Sequence, residues 1–349
     1  MHTFSQPSGR QPTAGTAIPF VRANAFAPFI EFLHEVGCPV ERRLSEARMP
    51  QAILDNPEAL VPLTSGYRFL ELAARREGIQ DVGVLVGQRL SAFDLGTYGA
   101  TLRDASTVHE YLQRGSAMMG IHSTATTIWL RREHGRLRVS QALRSPAGPG
   151  RCIGDLFTLV VTLSMLRRFI GPTWCPVELR LMEGAESMLG DREVFGDAPI
   201  ITGQPFTSFT IATQDLQRPI SAASGLAARR PKAPPALPAN IPVDFKASME
   251  QLIVSLMPDG GPSIVLAAEV AGLTPRTLQR RLADAGTSYS DLVATARLRM
   301  ARQWLAGSSM SIAEIAASLG YREASNFARG FRRITGLSPT AYRAMVKRV

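Results

Sequence analysis

From residue 23 onward, apolar side chains recur at spacings of three and four, the period of a helix with one buried face. Residues 24–37 (NAFAPFIEFLHEVG) form such a run ending on Gly37, and a second short helix is expected near 40–47. Residues 64–78 follow, with Thr64 or Ser65 as the N-cap and Gly78 just past the end. Residues 106–120 read as helix again, capped by Ser106 with Glu110 in the first turn. The period then drops to two. Residues 126–143 (TTIWLRREHGRLRVSQAL) alternate on both sides of His134-Gly135, as the strands of a hairpin do. An apolar helix over 154–170 comes next, then strands over 177–182 and 208–213. Strands and helices mixed without a βαβ rhythm give an α+β domain, mostly helical with a small sheet.

Residues 221–242 contain five prolines and almost nothing to bury, which marks a linker. Beyond it the pattern is almost purely helical. The expected organisation is a loose polar tail over 1–17, a first domain over 18–220, the linker 221–242 and an all-α domain over 243–349.

Charge sharpens this division. Of the net +10, residues 1–220 contribute 22 basic against 21 acidic side chains, and 241–349 contribute 14 against 8. Arg229, Arg230 and Lys232 add three more in the linker with no acid. A near-neutral domain joined to a basic one points to an acidic partner for the latter, nucleic acid or an anionic membrane. The most apolar run, 156–166, is too short for a bilayer, which needs about 20 residues, so no membrane role is expected. Cys38, Cys152 and Cys175 have neither metal-ligand spacing nor the number for a disulfide framework. They imply a reducing, cytoplasmic setting without a metal or other cofactor.

The C-terminal text repeats itself. AAEVAGLTPRTLQRRL (267–282) and IAASLGYREASNFARGF (315–331) place Ala268 on Ala316 and Gly272 on Gly320. After one inserted residue, Leu278 falls on Phe327, Arg280 on Arg329 and Leu282 on Phe331. Two short helices around a glycine turn, small residues in the first and apolar anchors four apart in the second, form a helix-turn-helix pattern. The alanines let the helices approach, and the glycines permit the backbone turn. Thr274 caps the second helix of the first copy, and Pro275 fills its first position. With Leu278 and Leu282 inward, Arg276 and Arg280 share an outer face flanked by Thr277 and Gln279. In the second copy Arg322, Ser325, Asn326, Arg329, Arg332 and Arg333 are left outside Phe327 and Phe331. Arginine suits guanine edges and phosphates, and glutamine or asparagine suits adenine. The DNA-facing set is therefore Arg276, Thr277, Gln279, Arg280, Arg322, Ser325, Asn326, Arg329 and Arg332. Residues 288–307, capped by Ser288 with Leu292, Ala296, Met300 and Trp304 on one stripe, form a long helix joining the copies. Such a helix would hold both readers on one side of DNA, about one turn (~34 Å) apart.

This arrangement, ending in ITGLSPTAYR (334–343), resembles the DNA-binding domain of AraC/XylS transcription regulators over roughly residues 245–345. The run GYREASNFARGFRRITGLSPTAYR (320–343) carries the likeness most specifically. By matched position, Arg276, Gln279 and Arg280 would enter one major groove, and Ser325 and Arg329 the next. Gly330 inside the second reader and the shorter LADAG (282–286) opposite FRRITG (331–336) depart from the pattern. Residues 94–112 and 193–220 are similar, by layout, to the arabinose-binding-like effector and dimerisation domain of one branch of this family. The resemblance implies promoter DNA and RNA polymerase as partners, a small-molecule effector, a homodimer, and activation more readily than repression.

Catalysis finds little support. The segment 109–113 (HEYLQ) begins like a zinc helix, but Gln113 stands where a second histidine would be needed. GPGRCIG (148–154) lacks the strand and spacing of a nucleotide loop and reads as a turn. Trp129, His122, Arg103, Tyr98 and Cys152 are candidates to line a cavity, but each also has an ordinary packing role, and none is assigned a ligand. A constitutive DNA-binding protein whose first domain only dimerises is the alternative reading.

Overall fold

The computed structural model describes residues 17–50, 53–145, 147–220, 242, 244–257 and 261–346. The expected tail over 1–17 and linker over 221–242 therefore lie almost wholly outside the described residues. The chain divides into two compact units, residues 19–241 and residues 242–349, and Ile18, expected in the first domain, belongs with the second, its N–H donating to Ser248 Oγ at 2.9 Å.

The N-terminal unit pairs β1 (Phe20–Arg22) with β2 (Leu60–Pro62) as a short antiparallel ribbon. Helices α1 (Ala27–Glu35) and α2 (Val40–Glu46) lie between these strands. They are followed by α3 (Leu63–Glu77), α4 (Val82–Arg89), α5 (Gly96–Leu102) and α6 (Val108–His122). The sheet comprises β3 (Thr126–Glu133), β4 (Arg136–Leu143), β5 (Glu178–Met182), β6 (Ile200–Gln204) and β7 (Thr207–Ala212). Their spatial order is β3-β4-β7-β5-β6, with only β5 and β6 parallel. The long α7 (Pro149–Ile170) runs in the core against α3, α4 and the sheet, and the short α8 (Thr213–Leu216) follows β7.

Several expectations are met at residue level. The hairpin turn has His134 and Gly135 at φ 46° and 71°, both left-handed, as a two-residue turn between twisted strands requires. Gly78 ends α3 at φ 72°. Other expectations are corrected. The sheet is not small: it has five strands, plus the separate ribbon. Thr64 and Ser65 lie inside α3, which starts straight from Pro62 at the end of β2. Thr107, not Ser106, caps α6, accepting from the Glu110 N–H at 3.2 Å, while Ser106 holds the Glu110 carboxylate. GPGRCIG is not a turn but the opening of α7. Its glycines admit α3: a methyl on Gly150 would overlap the Tyr67 carbonyl.

The C-terminal unit is helical: α9 (Phe245–Leu256), α10 (Ile264–Val270), α11 (Pro275–Asp284), α12 (Tyr289–Gly307), α13 (Ile312–Ser318), α14 (Ala324–Thr335) and α15 (Pro339–Val346). The joining helix α12 starts in a capping box, with Ser288 and Asp291 satisfying each other's N–H groups. Its buried stripe runs through Leu292, Ala296 and Met300, then Ala301 and Leu305. Trp304 is only half-buried, because the 3.6-residue period carries a strict four-residue repeat off the buried face. Helix α9 packs along α12, tied by Arg299 to Glu250 at 3.3 Å.

Candidate nucleic-acid interface

The two helix pairs, α10–α11 and α13–α14, turn in the same way down to single hydrogen bonds. Gly272 and Gly320 have φ of 67° and 77°. Their N–H groups donate to Glu269 O (3.0 Å) and Ala317 O (2.9 Å). The next N–H groups, of Leu273 and Tyr321, donate to Ala268 O (2.8 Å) and Ala316 O (2.9 Å). A side chain with a Cβ would strain the glycine positions, and both turns close directly over buried alanines. The second turn is one residue longer, as the insertion between the copies requires.

Helix α11 begins at a Thr274 cap that accepts from the Thr277 N–H at 3.2 Å, with Pro275 in its first turn. Leu278 and Leu282 are fully buried. That burial fixes the rotation of the helix and leaves Arg276, Gln279 and Arg280 exposed. Thr277 is half-buried and its hydroxyl is shared with that of Thr274 at 2.9 Å, so it serves the cap. Arg281 is set apart from its neighbours: its guanidinium lies 5.4 Å from the centre of the Phe245 ring.

Helix α14 is held by an aromatic chain. Tyr321, Phe327, Phe331 and Tyr342 succeed one another with ring centres 5.6, 5.7 and 5.4 Å apart. Ser325, Asn326, Arg329, Arg332 and Arg333 face outward and are exposed. The Asn326 side-chain oxygen accepts from Arg329 at 2.5 Å, aligning an amide and a guanidinium on one surface. Ser325 donates to Glu323 at 3.1 Å, an acidic neighbour that reading for basic side chains passes over. Arg322 is exposed but sits in the turn, ahead of the helix. Two other arginines are structural. Arg297 donates to Leu319 O at 2.9 Å beneath the Tyr321 ring, and Arg343 donates to Met310 O at 2.6 Å. The ending G-L-S-P-T-A-Y-R thus has a mechanical account. Gly336 ends α14 at φ 78°, Ser338 accepts from the Ala341 N–H, Pro339 is buried in the first turn of α15, Tyr342 extends the aromatic chain, and Arg343 ties it down.

The arabinose-binding N-terminal domain of AraC transcription regulators matches residues 37–220, and a helix-turn-helix domain matches 267–345. The chain belongs to the AraC family of transcription regulators. The regulator is 26% identical to the HTH-type transcriptional regulator VirS of Mycobacterium tuberculosis, over 93% of this chain and 96% of that one. It is 24% identical to the ornithine utilization regulator of Pseudomonas aeruginosa, over 96% and 99% of the two chains. A solved structure, the transcriptional regulator CdpR of Pseudomonas aeruginosa, is 27% identical, covering 79% of this chain and 91% of that one with a TM-score of 0.36. The chain is a DNA-binding transcriptional regulator. Among its described residues, no helix is long and apolar enough to cross a membrane.

Proposed function

We propose that the regulator is an effector-responsive activator whose α11 and α14 enter successive major grooves of a promoter. In this reading Arg276, Gln279 and Arg280 address base edges in one groove, and Ser325, Asn326 and Arg329 in the other. Arg322, Arg332 and Thr277 flank them near the phosphates, which set affinity and its salt dependence. The N-terminal unit binds a small molecule and pairs two copies of the chain, and RNA polymerase is recruited when the effector is bound.

One observation carries the reading. Two helices of one repeat expose guanidinium and amide groups on the face opposite Leu278–Leu282 and Phe327–Phe331, and among the described residues Arg276 and Arg280 form no ion pair. The test is to map the sites bound in the genome and titrate one of them by fluorescence anisotropy. Arg280→Ala should weaken that site by ~1–3 kcal/mol and relax selectivity at one base pair. A uniform loss over all sequences would make Arg280 a phosphate contact. Transcription from the mapped promoter that ignores every metabolite tried would favour a constitutive DNA-binding protein.

A further inference from the structure

The N-terminal unit contains a cavity between α3 and α7 on one side and α5, α6 and β3 on the other. Its envelope encloses about 770 Å³, open solvent at the mouth included. Aliphatic and aromatic side chains such as Phe26, Leu70, Leu95 and Phe157 make up most of the wall, and no Asp, Glu, Lys or Arg lines it among the described residues. Thr158 and Thr162 also line it, but their hydroxyls donate to the carbonyls of Gly154 (3.0 Å) and Thr158 (2.9 Å). As donors those two hydroxyls are already used, and toward a ligand they could only accept.

Of the five residues singled out as cavity candidates, Tyr98 and His122 line this space and Trp129, Arg103 and Cys152 do not. Trp129 packs on Phe206, Arg103 donates to Phe93 O, and Cys152 donates weakly to Glu183 O. Tyr98 donates to Gly115 O at 3.3 Å and stacks on His122 with ring centres 5.2 Å apart. His122 is 7% exposed, and its Nδ1 is buried with no hydrogen-bond partner. Burial, then the nearby Arg22 charge, depress its pKa to about 4, so the ring is neutral at pH 7. Arg22 itself is committed elsewhere, to Ile121 O (3.1 Å) and Glu58 O (2.5 Å).

An orphaned buried polar atom costs stability unless something satisfies it. A sugar would bring more hydroxyls than a wall whose polar groups are few, chiefly His122 and the hydroxyls of Tyr67 and Tyr111, can answer, and an amino acid would bring charges that no Asp, Glu, Lys or Arg in the wall neutralises. We propose that this cavity is the ligand site of the sensing unit and takes an uncharged, largely hydrocarbon molecule whose few hydroxyl or carbonyl oxygens meet the polar groups of the wall, the His122 ring among them. The proposal rests on the effector-responsive reading above and gives that effector a chemical class.

The test uses the full chain without DNA and the uncharged naphthyl ketone 6-propionyl-2-(dimethylamino)naphthalene as a fluorescent probe. Expected are a saturable blue-shifted emission and displacement by 2-naphthol and 1-decanol at concentrations at least about tenfold below those of 2-naphthoate and decanoate, since only the carboxylates must bury an unpaired charge. L-arabinose and L-ornithine should not displace it. Thr162→Phe should fill the space and abolish binding. His122→Phe keeps an aromatic ring against Tyr98 and should weaken the ketone about tenfold while leaving displacement by naphthalene unchanged. Absence of saturable binding, carboxylates at least as effective as their neutral counterparts, or a folded Thr162→Phe that still binds would overturn the proposal. If circular dichroism shows either variant unfolded, the neutral-to-anionic ratio in the unaltered chain decides. Probes that bind without changing affinity for promoter DNA would instead overturn the effector-responsive reading and leave the ligand class standing.

Discussion

At the scale of single residues, the arginines of the C-terminal unit divide by what they touch, and substitution should reproduce that division. Arg280→Ala should lower affinity for the mapped site with an unchanged melting temperature. Arg281→Ala removes the contact over Phe245 and should cost ~0.5–1 kcal/mol of stability without altering base preference. A change of base preference in the Arg281 variant would place it among the readers. Two buried groups of the N-terminal unit make a second contrast, in pH. His122 has its pKa depressed to about 4 against an unfolded value of 6.5, so its contribution to stability is complete above pH 6.5 and is lost as pH falls toward 4. Asp155, buried beneath donors from Gln141 and Thr207, is raised by desolvation to about 6 from 3.8. Its contribution is complete below pH 3.8 and is lost as pH rises through 6. The two windows overlap with opposite sign, so the total hides both. Melting temperatures at pH 4.5 and 7 should separate them. The excess of the unaltered chain over His122→Phe should shrink in acid, while its excess over Asp155→Asn should grow.

At the scale of elements, glycine substitutions separate two uses of the same residue. Gly330 lies mid-helix in α14, and a methyl there would meet only the Tyr321 hydroxyl oxygen, at an ordinary 3.8 Å. Gly330→Ala should therefore stabilise the C-terminal unit by ~0.5–1 kcal/mol, read as a rise of a few degrees in its unfolding midpoint. Gly150→Ala should act oppositely, since the Tyr67 backbone occupies the space. Displacing it should cost ~1–3 kcal/mol by chemical denaturation, and an unchanged midpoint would mean that α3 and α7 pack less closely than described. The same contrast explains what the pattern of side chains reveals. The C-terminal helices are marked by local signals, Thr274-Pro275 and Ser288 at their starts and Gly272 and Gly320 in their turns, so they could be placed from sequence. The N-terminal ribbon has no such mark. Phe20 pairs with Pro62 across the whole of α1 and α2, and three-residue strands have too few positions to show a period. Helix α4 (VGVLVGQR) alternates like a strand, yet it is helical because Gly83 and Gly87 let it lie against Ile153 and Val160 of α7. His122 and Tyr98 could be named as candidates, but their joint place on one cavity depends on α5 and α6 packing together, which no local spacing encodes.

At the scale of the whole molecule, the two compact units have separate cores, one built on α7 and the sheet and the other on α9, α12 and the paired helices. Units with separate cores need not melt together, and calorimetry of the full chain should show two transitions. A ligand shifts only the transition of the unit that binds it, by ~2.7 kcal/mol at a hundred times its dissociation constant. Promoter DNA should therefore raise one transition, by less in Arg280→Ala, and 2-naphthol the other, an effect abolished in Thr162→Phe. Regulation adds a further requirement. If the neutral ligand changes affinity for DNA by some factor, DNA must change affinity for the ligand by the same factor. Titrating 2-naphthol with and without saturating promoter DNA measures that factor directly. A ratio of one, with both sites intact, would mean that the two units share a chain but no information, and the effector-responsive reading would fall while the ligand class stood.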